Sequence, residues 1–96
     1  MLVLITYDVN VEGSEGKRRL RRVAKICQNF GIRVQNSVFE CVVDSVKLLE
    51  LKNKLAAAID MEKDSLRYYN LGNAGRHKVL HVGAKPALDV EDVLII

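Results

Sequence analysis

The chain contains no tryptophan, one proline at position 86, two cysteines, two histidines, three tyrosines and two phenylalanines among its 96 residues. So few aromatics mean an aliphatic core, and a 49% hydrophobic content supplies one, which excludes disorder. Cys27 and Cys41 form no CxxC pair and each falls in an apolar pattern. That excludes a disulfide framework and reads as buried thiols in a reducing compartment. No apolar run is long enough to span a bilayer. The first one, Met1 to Tyr7, lacks a preceding positive region and stops at Asp8, so it reads as a strand of a cytoplasmic protein, not a signal peptide, with no membrane partner. Gly72-Asn73-Ala74-Gly75 is not followed by Gly-Lys-Ser/Thr, which excludes a phosphate-cradling loop. His77 and His81 lie four apart, but in a β-like run, so they are not a helical metal pair.

What remains is one domain, small enough that a partner usefully extends its core. The net charge is +3, unevenly distributed: residues 1–36 carry seven Lys or Arg against three acids, whereas residues 37–64 carry four against six. A basic first third favours a polyanion on one face, and a solvated helix produces the same count.

Leu2 to Tyr7 is apolar at almost every position, which calls for cover on both faces of the strand. Ser14 is a candidate N-cap for the helix that follows. That helix places Leu20, Val23, Ala24 and Cys27 on its inner face before Gly31 offers a left-handed C-cap. Arg18, Arg22 and Lys25 then fall on the outer face, with Arg19 and Arg21 on its flanks. Residues 33–43 read as extended, either one bent strand or two short ones, with Phe39, Cys41 and Val43 alternating against Val38, Glu40 and Val42. Asp44 or Ser45 caps a second helix whose inner stripe is Leu48, Leu51, Leu55 and Ala58 or Ile59. Ser65 to Leu71 and Val79 to Val82 are further strands, and residues 84–96 form an apolar-ended tail. Splitting the middle segment completes an α+β, ferredoxin-like β-α-β-β-α-β sandwich with an additional C-terminal strand. Two helices cover only one face of such a sheet. A second copy is the simplest cover for the other, with the tail on a sheet edge, expected to be the partner's.

The segments Leu4-Ile5-Thr6-Tyr7-Asp8-Val9, Lys17 to Lys25, Arg33-Val34-Gln35-Asn36-Ser37-Val38-Phe39-Glu40-Cys41 and Asp64-Ser65-Leu66-Arg67-Tyr68-Tyr69 resemble the Cas2 family. This is the small CRISPR-associated endonuclease that partners the adaptation integrase; over its full length the chain resembles the type I-C branch. The resemblance implies a homodimer in which Asp8 of each subunit approaches the twofold axis and the pair holds a divalent metal, Mg2+ or Mn2+. It also implies a complex with the integrase that inserts spacer DNA into the CRISPR array. Family members cut double-stranded DNA or single-stranded RNA, or act as scaffolds.

By spacing alone Asp8 is a strand-terminating turn residue; the resemblance makes it the catalytic and metal-binding residue. Arg18, Arg19, Arg22 and Lys25 are candidate phosphate contacts, as are Arg33 and Ser37, where a guanidinium fork and a hydroxyl suit phosphate oxygens. Phe39 reads as core, and Tyr7 either packs or bonds near the site. Two functions follow: a metal-dependent phosphodiesterase, and an architectural DNA-binding dimer that bridges integrase dimers with no chemistry of its own. A small-molecule sensor suits the fold but not the basic stripe.

Overall fold

The apolar N-terminal run forms the central strand β1, Leu2–Asp8, followed by α1 (Gly13–Phe30), β2 (Ile32–Gln35), β3 (Val38–Val42), α2 (Ser45–Ala58) and β4 (Ser65–Asn70). The computed structural model describes residues 1–73. The expected strand Val79 to Val82 and the tail 84–96 lie outside the described residues. The sheet order is β2-β3-β1-β4 and every neighbouring pair is antiparallel, the α+β ferredoxin-like arrangement. Residues 33–43 are two strands, turning at Asn36 and Ser37 with an irregular register between Arg33 and Gln35.

Alternation along β1 divides the molecule. Val3, Ile5, Tyr7 and Val9 join Phe39, Cys41 and Val43 under the helices, which contribute Val23, Cys27, Leu51, Leu55 and Ala58 to one core. The opposite face carries Leu4, Thr6 and Val38, half-buried, and the exposed Val42 and Tyr69. Among the described residues nothing forms a second layer over it.

Two helix-end expectations are corrected. Ser14 does not cap α1. The helix starts two residues earlier than such a cap implies, at Gly13, whose φ of 72° only glycine adopts readily, and Glu12 at the cap position makes no side-chain bond. Instead the Asn10 side chain accepts the Glu12 N–H at 2.9 Å and turns the chain into the helix. Gly31 is extended (φ −164°), not left-handed. A side chain there would run into the Glu40 carbonyl and the Cys41 sulfur, so glycine is required by the close approach of β3. Of the two expected cap candidates for α2, Asp44 is the one that caps, its carboxylate accepting the Lys47 N–H at 2.7 Å, and Ser45 is the first helical residue.

Candidate functional site

β1 ends where its alternation brings an outward position to the rim of the sheet, and that position is Asp8. It shares the uncovered face with Leu4 and Thr6, is exposed, and has no side-chain hydrogen bond or ion pair among the described residues. Its register partner is Ser65, at the start of β4. The Asn36-Ser37 turn reaches the same end of the sheet, because Val38 pairs with Thr6 and the Ser37 carbonyl accepts the Tyr7 N–H at 3.1 Å. Thr6, Asp8, Ser65, Arg67 and Tyr69 line a shallow cleft of about 280 Å³. On β4, Ser65, Arg67 and Tyr69 alternate onto the face of Asp8, and Arg67 donates to the Tyr69 hydroxyl at 3.3 Å. These three were not among the site residues expected from sequence. Their period-two spacing was visible, but which face it served depended on the pairing with β1.

The oxygen donors at this rim, one carboxylate and the hydroxyl groups of Ser65 and Thr6, suit a hard cation such as magnesium or manganese. Among the described residues no three of His, Cys, Asp or Glu gather to hold an ion. One carboxylate and two hydroxyls fall short of a full coordination set, so these residues by themselves fit at most half of a divalent-metal site.

The other sulfur and phenol groups are poor candidates for the chemistry. Burial pushes the Cys27 thiol up to about 12 and the Cys41 thiol up to about 11, so neither is a thiolate at neutral pH. Burial likewise raises Tyr68 to about 12. It also lifts Tyr7, against the opposing pull of the nearby Arg33 guanidinium. Tyr7 points under the helices, stacks on Phe39 with centroids 6.2 Å apart, and donates to the Asn36 carbonyl at 3.2 Å. Its hydroxyl thereby holds the turn beside Asp8.

The expected phosphate contacts separate into three settings. Arg18, Arg22 and Lys25 are exposed on α1 with no intramolecular partner among the described residues, over roughly 10 Å of helix. Arg19 turns inward: its Nε donates to Asp64 at 2.8 Å, and its side chain retains only 18% exposure. Arg33 lies on β2 with its guanidinium 5.1 Å from the Phe39 ring centroid, and Ser37 is half-buried in the turn. The α1 stripe and Asp8 are not brought together within one chain. The stripe lies outside the helical layer, and Asp8 belongs to the sheet face that the helices leave bare.

The family model described as "CRISPR associated protein Cas2" matches residues 1–79. The chain belongs to the Cas2 family. It is 63% identical over 95 residues to the "CRISPR-associated endonuclease Cas2" of Halalkalibacterium halodurans, covering 99% of each chain. It is 59% identical over 96 residues to the "CRISPR-associated endoribonuclease Cas2" of Nitratidesulfovibrio vulgaris, covering all of this chain and 94% of that one. The crystal structure of Streptococcus pyogenes Cas2 at pH 6.5 superposes with a TM-score of 0.77 at 48% identity, covering 86% of this chain and 100% of that one. The ferredoxin-like fold expected from sequence is thus the fold of a solved Cas2 protein. Among the described residues no helix is long and apolar enough to cross a membrane.

Proposed function

We propose that this Cas2-family protein is a homodimeric, divalent-metal-dependent nuclease of CRISPR adaptation, of the type I-C branch, that also holds incoming duplex DNA and bridges integrase dimers. The observation that carries the reading is Asp8: a bare carboxylate at the end of an otherwise apolar strand, on the sheet face that the chain leaves uncovered. Apposing two such faces buries Leu4, Val38, Val42 and Tyr69 and brings the Asp8 of each protomer toward a common axis. The names carried by its relatives, one an endonuclease and one an endoribonuclease, support phosphodiester hydrolysis and leave both DNA and RNA as substrate classes.

Asp8 of each protomer would hold the Mg2+ or Mn2+ ion. When bound, the ion supplies electrophilic activation of a phosphoryl oxygen and of water. The protein's own groups supply the rest. The two Asp8 carboxylates repel each other in the absence of a cation, so dimer geometry and ion binding are coupled. The Ser65 hydroxyl offers a hydrogen bond to a phosphate oxygen, and Arg67 offers a charge-assisted one. Tyr69 presents a ring for a base to rest on.

The second reading is a scaffold without physiological catalysis. It is favoured by the separation between the exposed stripe Arg18, Arg22, Lys25 and the Asp8 face, because duplex held on α1 need not reach a carboxylate on the far side of the sheet. One variant tests both. Asp8→Asn should abolish magnesium-dependent cleavage of DNA and RNA while dimer mass and duplex affinity stay at wild-type values. Undiminished cleavage in a preparation shown free of contaminating nuclease would remove Asp8 from the chemistry and leave the scaffold.

A further inference from the structure

The least solvated charge among the described residues lies at the strand ends next to Asp8, and the proposed chemistry does not use it. Asp64 has no exposed side-chain surface. Its Oδ1 accepts the Asn10 N–H at 2.9 Å, and its Oδ2 accepts the Asp60 N–H and the Arg19 Nε–H, both at 2.8 Å. Arg19 closes the arrangement with Nη2, which reaches the Asn10 carbonyl at 3.3 Å and Asp64 Oδ1 at 3.4 Å. Asn10 is therefore gripped at both its amide N–H and its carbonyl oxygen. Gly16, one turn before Arg19, has no room for a side chain against the Asn10 carbonyl and the Val11 backbone, so α1 can lie close enough for Arg19 to reach.

The positions of these residues in the chain give the ion pair its consequence. Asn10 is two residues beyond Asp8, past the last paired residue of β1. Asp64 immediately precedes Ser65, the register partner of Asp8. One buried anion thus ties together the two strand ends that carry the exposed carboxylate and the hydroxyl facing it. Val9, between Asp8 and Asn10, is buried in the core, and Tyr7 on the other side is fixed by its bonds to Ser37 and Asn36. A buried ion pair is an inefficient source of stability compared with apolar packing. Its bonds are directional, however, and direction matters for a carboxylate that must meet its own copy across a twofold axis, where any misplacement occurs twice.

We propose that Asp64 and Arg19 are positioning residues for Asp8, a clamp that sets where the exposed carboxylate stands relative to Ser65 and to the second protomer. This rests on the nuclease reading above. Partners that orient a metal-binding carboxylate typically contribute 10- to 100-fold in ion affinity or activity.

The test compares Asp64→Asn, Arg19→Lys and Arg19→Gln with wild-type dimer. Asp64→Asn should remain a folded dimer with faster amide exchange at Asn10. Its kcat and its Mn2+ affinity by calorimetry should each fall about 10-fold or more, while the KM for nucleic acid stays within about twofold. Arg19→Lys keeps the charge but loses the fork onto the Asn10 carbonyl, so its kcat should lie between those of wild type and Arg19→Gln. These two variants carry the test if Asp64→Asn does not fold. Wild-type kcat and Mn2+ affinity in the folded variants, with Asn10 exchange accelerated, would make the clamp purely structural and overturn the proposal. Asp8→Asn, measured in parallel, separates the two readings. Undiminished cleavage there overturns both; cleavage lost in Asp8→Asn but wild-type in Asp64→Asn and Arg19→Gln overturns the positioning role alone.

Discussion

Asp8 and Asp64 are chemically identical side chains at neighbouring strand ends, and their surroundings give them opposite properties. Asp8 stands in solvent without a partner among the described residues, and Asp64 is withdrawn from water behind Arg19. Burial alone would raise the Asp64 carboxyl. The Asp60 N–H, the Arg19 guanidinium and the Asn10 N–H outweigh it and hold the group below its ordinary value. The unfolded chain takes up this proton near pH 4 and the folded chain only at lower pH, so the stabilisation is complete above about pH 4 and is lost as the pH falls through the folded-state value. The gap in melting temperature between wild type and Asp64→Asn should therefore be widest near neutrality and narrow below about pH 4. A gap that stays constant down to pH 3 would show that Asp64 contributes no proton-linked stability. The place of Asp8 at an exposed strand end was legible from sequence because it interrupts an apolar run. The inward turn of Arg19 was not, because its partner lies 45 residues away and helix spacing alone places the guanidinium on the flank of a basic stripe.

Elements governed by their own residues were read well. Asp44 caps α2, Leu51 and Leu55 fill its inner stripe, and Phe39 and Cys41 alternate inward on β3. Where a second element decided the outcome, the sequence misled. Gly31 is the clearest case: a glycine after a helix reads as a left-handed cap, but its backbone is extended and the constraint comes from β3. Gly31→Ala should therefore destabilise the fold by about 1–3 kcal/mol in urea denaturation, as overpacking does. Removing the sulfur with Cys41→Ala should not restore stability, since the Glu40 carbonyl blocks the same space. Full rescue by Cys41→Ala would show that only the sulfur was in the way. The local pattern of residues 33–43 left one strand or two open, because Asn36 and Ser37 turn without a glycine or proline to mark the place; only the β-α-β-β-α-β order of the whole chain favoured the split that the structure has.

At the scale of the whole molecule, α1 and the bare sheet face present different chemistry on opposite sides. If Arg18 and Arg22 track a phosphate backbone, Arg18→Ala and Arg22→Ala should each lower the logarithmic salt slope of duplex binding by about one, with little sequence preference. Unchanged slopes would make the stripe an ordinary solvated face. The sheet face should hold two copies together: sedimentation at low micromolar concentration should show a dimer, and Leu4→Arg should convert it to monomer. A wild-type protein that sediments only as monomer would leave the face for another partner. The solitary Asp8 then has a kinetic corollary. If the paired Asp8 carboxylates form one reactive centre, as proposed, a chain by itself has none, and below the dimer dissociation constant the rate of cleavage should rise with the square of the amount of protein made. Doubling expression would quadruple the activity, and dilution would silence it without any inhibitor.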